Sequence, residues 1–187
     1  MSDVRRLFVK NPLGLAAQYG DAISTFLAGE TASALRKMDG LIAARPNNPW
    51  FHEMRGEILL EAGRGKEAAA SFAKAAKLDR TNSGLLKAEI GQALVVAGNG
   101  ADMKQAIELI QGGLQSDPIN AAAYRYLAMA YARLGDVGRA ELATAEGHWS
   151  AGSFTQAKVF AARAQGKLQP GSPAWRRAQD ILKVKSR

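Results

Sequence analysis

Cysteine is absent from the 187 residues, which excludes disulfides, thiolate nucleophiles and thiolate metal sites. That absence does not choose a compartment, because proteins on either side of a membrane can do without cysteine. Histidine occurs twice, as His52 and His148, 96 residues apart. No apolar run approaches the roughly 20 residues needed to span a bilayer. The opening Met1-Ser2-Asp3-Val4-Arg5-Arg6 lacks the apolar stretch and small-residue cleavage site of a signal peptide. Any export signal is expected outside this chain. Aromatic residues make up only 7%, too few for a core built on large rings.

Hydrophobic residues make up 47%, enough to bury a core and to exclude global disorder. Alanine, leucine and glycine dominate, which favours helices that approach one another closely. The net charge of +8 is unevenly placed. Residues 151–187 hold eight Lys or Arg (Lys158, Arg163, Lys167, Arg176, Arg177, Lys183, Lys185, Arg187) against one acid, Asp180. A basic segment of this kind suits a solvated helix face, with peripheral association with an anionic membrane surface as a further partner. Without interleaved aromatics to stack bases, it argues against nucleic acid.

The main signal is internal repetition. Phe51-His52-Glu53-Met54-Arg55-Gly56-Glu57-Ile58-Leu59-Leu60-Glu61-Ala62-Gly63 is followed by Arg64-Gly65-Lys66-Glu67-Ala68, then Phe72, Ala75 and Leu78. This is the tetratricopeptide (TPR) pattern of first helix, glycine turn and alanine-centred second helix. The turn glycines are Gly29, Gly63, Gly98 and Gly135, separated by 34, 35 and 37 residues, and the matching alanines are Ala34, Ala68, Ala106 and Ala140. Pro46 and Pro118 close two of the repeats, with Arg80 at the same place between them. A glycine just past a helix takes φ > 0 without steric cost. An alanine admits the neighbouring helix where a larger side chain would overpack by ~1–3 kcal/mol. A proline after the second helix stops it.

The pattern predicts an all-α fold, a TPR-type α–α superhelix: a right-handed solenoid of antiparallel helix pairs with a C-terminal capping helix. A lead-in segment over 1–12 precedes repeats over about 13–46, 48–80, 83–118, 120–150 and 137–170. The last two overlap, because Gly152 follows Gly135 after only 17 residues and one helix, about 137–150, serves both. Ser172-Pro173-Ala174-Trp175 reads as an N-cap with proline at the first helical position, opening a cap over 172–184. The third turn is longer: Gly98-Asn99-Gly100-Ala101-Asp102-Met103 adds three residues before Ala106. No Gly-Lys-Ser/Thr follows it and no strand precedes it, so it is a lengthened helix–helix turn and not a phosphate loop.

First-helix residues three and four apart share a face. One face packs, with Gly56 and Leu59, or Leu127, Ala128 and Tyr131. The other is expected to line a concave groove with Tyr19, Ile23, Phe26, Glu53, Glu57, Leu60, Ala88, Gln92, Val95, Arg125, Met129 and Arg133. From these the expected peptide-binding residues are Tyr19, Phe26, Glu53, Glu57, Gln92, Arg125, Met129 and Arg133. They give an apolar end near Phe26, an acidic middle and a basic end. The Lys/Asn/Arg clamp with which some TPR modules grip a C-terminal carboxylate is missing, since its early positions hold Tyr19, Ile23, Glu53 and Glu57.

Chemistry is harder to find. His52-Glu53 begins like the His-Glu-x-x-His zinc motif, but the second histidine position is Gly56, so two imidazoles cannot face one metal. His52 is expected to pack at a helix start. No Gly-x-Ser-x-Gly elbow is present. Trp50, Trp149 and Trp175 read as packing anchors. The expectation is therefore no catalytic residue, no metal, no cofactor and no small-molecule substrate. The partner is a protein or peptide.

Two stretches carry a closer resemblance. Asn47-Asn48-Pro49-Trp50-Phe51-His52-Glu53-Met54-Arg55-Gly56 with Leu59-Leu60-Glu61-Ala62-Gly63-Arg64, and Pro170-Gly171-Ser172-Pro173-Ala174-Trp175-Arg176-Arg177-Ala178-Gln179-Asp180-Ile181-Leu182, resemble the TPR region of bacterial BepA-type zinc metalloproteases. The resemblance runs from about Tyr19 to the end. In that family the TPR region follows a zincin protease domain, which this sequence does not contain, so zinc is expected only there and no catalytic residue carries over. The resemblance implies a periplasmic setting in envelope protein quality control, with the TPR part engaging substrates or assembly machinery. The alternative is a free-standing TPR scaffold in a multiprotein complex, cytoplasmic or in the envelope.

Overall fold

A computed structural model describes residues 11, 13–98 and 100–184. The expected lead-in, apart from Asn11, lies outside the described residues, as do Asn99 of the long turn and Lys185 and Arg187 of the basic tail. The described residues form ten α-helices and no strand. They are α1 (Leu15–Leu27), α2 (Thr31–Ala44), α3 (Pro49–Glu61), α4 (Gly65–Leu78), α5 (Gly84–Ala97), α6 (Met103–Ser116), α7 (Ala121–Arg133), α8 (Val137–Ser150), α9 (Phe154–Gln165) and α10 (Pro173–Lys183). The chain divides into two compact units, Met1–Asn82 and Ser83–Arg187.

The turn glycines are where the backbone needs them. Gly29, Gly63, Gly98, Gly135 and Gly152 take φ between 72° and 82°. At Gly63 the amide of Arg64 donates to the Leu59 carbonyl at 2.9 Å and the amide of Gly63 to Leu60 at 3.0 Å. These two bonds are a Schellman motif, which satisfies carbonyls the helix end would otherwise leave open. The same pair recurs at Gly29, Gly135 and Gly152. Helices that follow longer linkers start on side chains instead. Asn48, Ser83, Asn120 and Ser172 accept from backbone amides in the first turns of α3, α5, α7 and α10, and α3 and α10 have proline at the helix start. Each such cap contributes ~1 kcal/mol. The long third turn is a 3₁₀ turn over Gly100–Asp102 leading into α6.

In the first unit, α3 and α4 form a helical hairpin whose core holds Ile58, Leu59, Ala68, Phe72 and Ala75, all with no exposed surface. Gly56 explains their closeness: a Cβ there would lie 2.6 Å from the Phe72 ring. In the second unit α5 lies against α6 still more tightly. A Cβ at Gly91 would sit 2.8 Å from the Ala106 carbonyl oxygen, and one at Gly113 2.6 Å from the Gly84 carbonyl oxygen. Backbone cannot step aside as a side-chain tip can, so these helices meet through glycine. Val95, Met103, Ile110, Leu127 and Ala130 fill this core. A separate cluster of Leu142, Ala145, Ala157, Ala161, Ala164, Ala178 and Ile181 joins α8, α9 and α10. The capping helix thus closes its apolar side onto the helices before it.

Trp50 departs from expectation. It is 64% exposed, because the second position of α3, straight after Pro49, points away from the face that carries Phe51 and Met54 inward. Trp149 does pack, half-buried against the terminal cluster and edge-on to Phe154 at 4.8 Å.

Candidate functional site

In the first unit, α3 carries Glu53 and Glu57 one turn apart on a half-buried face. Tyr19 of α1 is also half-buried, its ring 5.5 Å from that of Phe51. Phe26 and Ile23 are partly buried further along α1. The electrostatics tie these groups together. Burial, then the charges of Glu57 and Asp79, push the Glu53 carboxyl above its ordinary pKa. Burial and Glu61 do the same to Glu57. The Tyr19 hydroxyl is raised by burial and by both glutamates. Neither Glu53 nor Glu57 forms an ion pair among the described residues. No cation figures among the charges that act on the two glutamates, and Arg55 of the same helix is held by Asp39 at 2.8 Å and Ser71 at 2.8 Å. The face therefore holds partly desolvated negative charge without a positive partner, the condition under which a cation gains most by arriving.

In the second unit, Arg125, Met129 and Arg133 fall on one stripe of α7, each four residues from the next, and all three are exposed. The arginines are not idle. The Arg125 guanidinium lies 4.9 Å from the Tyr126 ring centre, a cation–π contact. Arg133 donates to the Val95 carbonyl oxygen in the last turn of α5, which also accepts from the Gly98 amide at 3.2 Å. It works as a clamp on a helix C-terminus, where positive charge is favoured.

Gln92 corrects the sequence reading. It is 6% exposed, and Ala88 and Val95 on the same stripe are 1% and 0% exposed. The cause is the composition of α5, GLLKAEIGQALVVA, which is apolar nearly all round and so carries no outward stripe. These three positions offer little surface to a partner.

His52 is 9% exposed and its Nε2 lies 2.8 Å from the Pro46 carbonyl oxygen. It fastens the start of α3 to the preceding turn, as its position predicted. The zinc-motif position Gly56 is closed by Phe72. The basic tail also has structural partners: Lys167 pairs with Glu141 at 2.9 Å and Arg177 with Glu146 at 2.8 Å. The apolar side of α10 is spent on the core through Ala178 and Ile181, so it offers no buried face to a membrane. No described helix is long and apolar enough to cross one.

Comparison with known proteins agrees with this architecture. Among curated proteins, the β-barrel assembly-enhancing proteases of Escherichia coli K12 and of Shigella flexneri are each 27% identical over 157 residues. The match covers 84% of this chain but 31% of each protease, so the chain spans about a third of their length. Among solved structures, MamA superposes with a TM-score of 0.63 at 22% identity over 87% of this chain and 90% of its own. YrrB, described as a TPR protein with an unusual peptide-binding site, superposes with a TM-score of 0.61 at 19% identity over 96% of this chain and 92% of its own. These likenesses establish the fold class as the all-α TPR-type α–α superhelix. The tetratricopeptide-repeat family model matches residues 26–83 and 89–154, and on that match the chain belongs to the tetratricopeptide-repeat family.

Proposed function

We propose that this protein is an interaction module whose first unit takes a cationic stretch of another polypeptide on the α3 face. The observation that carries the reading is the pair Glu53 and Glu57, half-buried, raised in pKa and without an ion pair among the described residues. An apolar border formed by Tyr19 and Phe26 suits a segment that alternates basic and apolar side chains. On α7, Arg125 and Met129 supply a second, weaker contact for acidic or apolar groups. Gln92 contributes through its position in the core and not through contact.

The likeness to the proteases supports one reading of the wider setting. The chain aligns with a third of their length, and we place it as the TPR region of a periplasmic zinc metalloprotease that handles envelope proteins, in which the catalytic metal belongs to a separate domain. A free-standing scaffold is the second reading.

Two measurements test these statements. Anisotropy of a fluorescein-labelled peptide KLKFKLK is expected to show saturable binding that weakens at least about ten-fold in Glu53→Lys/Glu57→Lys, with the thermal midpoint kept. Unchanged affinity in that variant removes the acidic face from the model. An immunoblot of fractionated source cells then separates the settings. A band well above 19.9 kDa in the envelope supports the protease, and a band at 19.9 kDa in the cytosol supports the scaffold.

A further inference from the structure

On the second unit, α6, α8 and the α9–α10 connection with the start of α10 enclose a half-open cleft of about 1050 Å³, floored by Leu127 and Tyr131 of α7. Leu127 and Tyr131 belong to the packing face of α7, so this surface is distinct from the Arg125–Met129 stripe and from everything the α3 face does. The volume exceeds the range of about 300–1,000 Å³ of small-molecule pockets, and the cleft is open to solvent. Its size suits several residues of a polypeptide.

We propose that this cleft is a second docking site, for a short polypeptide segment that carries an aliphatic or aromatic anchor flanked by acidic side chains. The anchor is matched by Leu134, which is 44% exposed, together with the edges of Leu142 and Leu168. The acidic flank is matched by the wall at α10. There Lys167 and Arg177 line the cleft, each holding one glutamate of α8 (Glu141 at 2.9 Å, Glu146 at 2.8 Å), and the first turn of α10 contains no acidic residue, which leaves its partial positive charge to a ligand. Two of the three lining carboxylates are already engaged: Arg177 holds Glu146 at 2.8 Å, and Arg139 lies 3.5 Å from Asp136; Glu108 is the third. Across the cleft, Lys104 forms no ion pair among the described residues. The unit as a whole carries more Lys and Arg than Asp and Glu over residues 83–187, which draws acidic segments toward it.

The test uses the full chain and two fluorescein-labelled peptides, DELFELD as the probe and KLKFKLK as the charge-reversed control. DELFELD is expected to bind, to weaken as salt rises, and to lose affinity at least about ten-fold in Leu134→Asp and at least about three-fold in Lys167→Glu. Both side chains are substantially exposed, and the thermal midpoint of each variant checks that the fold survives, since Lys167→Glu also breaks the pair with Glu141. Glu53→Lys/Glu57→Lys leaves DELFELD binding unchanged, which separates a failure here from a failure of the α3 face. Amide shifts of the wild-type protein supply a measurement independent of any variant. Perturbations centred on Tyr131, Leu142 and Leu168 support the cleft. Perturbations centred on Arg125 and Met129, equal perturbation of the Tyr131, Leu142 and Leu168 amides by KLKFKLK, or no binding of DELFELD would each overturn it.

Discussion

Glu53 on α3 and Arg125 on α7 each stand ten residues before their turn glycine, and Glu57 and Met129 each stand six before it. The two helices thus present equivalent stripes from two repeats, yet they handle charge in opposite ways. On α3 the carboxylates are half-buried, repel one another and form no ion pair among the described residues. On α7 the guanidinium groups are exposed but occupied, Arg125 over Tyr126 and Arg133 on the Val95 carbonyl. A repeat therefore fixes where a side chain stands without fixing what it is for. The α3 stripe carries an unresolved electrostatic cost that a ligand can relieve. The α7 stripe has turned its charge into structure.

The largest effect that could break this contrast is at Arg133. Hydrogen bonds made by a charged group contribute ~1.5–3 kcal/mol, and solvent exposure places this one toward the lower end. Arg133→Ala is expected to destabilise the protein by about 1–2 kcal/mol, and Arg133→Lys, which keeps the charge but not the fork, to recover part of that. Chemical denaturation followed by circular dichroism measures both. If Arg133→Ala is neutral for stability but weakens peptide binding, Arg133 belongs to a binding surface and is not a clamp on the end of α5.

What was legible in the sequence follows the same line. Turn glycines, the alanines Ala34, Ala68 and Ala106 and the Ser172 cap are dictated by local backbone geometry, and the structure puts each to that use. Exposure was less legible. Gln92 occupies the phase of an outward residue, but its helix is apolar on the neighbouring faces and is covered. Trp50 looks like an anchor by composition, yet one position of helical phase turns it out to solvent. The cleft floored by Leu127 and Tyr131 was not legible at all. It depends on how α6, α8 and α10 diverge, and spacing along one helix does not encode the gap between three.

A medium effect sharpens the acidic side. A carboxyl whose pKa is higher in the folded state than in the unfolded chain binds its proton more tightly when folded. Its contribution favours folding below the unfolded value and is lost as pH rises through the folded one. Glu53 and Glu57 are both raised, so at about pH 7 they cost stability that is absent at about pH 4. Glu53→Gln/Glu57→Gln is expected to raise the thermal midpoint at about pH 7 and to leave it nearly unchanged at about pH 4. Asp79 and Glu61 are left in place in this variant, and the Tyr19 hydroxyl, raised above its ordinary value, does not titrate in this range. A gain of the same size at both pH values would show that the glutamates are not electrostatically strained.

The smallest effect belongs to Arg125. Its contact with Tyr126 is at the surface, where a cation–π pair contributes only ~0.5–1 kcal/mol and long side chains recover freedom when it is lost. Arg125→Ala is expected to change stability by less than about 1 kcal/mol and to leave KLKFKLK binding unaltered. Its value lies in direction. Removing a cation near a site that bound cationic peptides would strengthen their binding by lifting repulsion, whereas a site confined to α3 would be indifferent. Tighter KLKFKLK binding in Arg125→Ala would mean that the peptide lies within a screening length of α7, roughly 10 Å at moderate salt. Indifference would confine it to the α3 face, where Glu53 and Glu57 leave their charge unmatched.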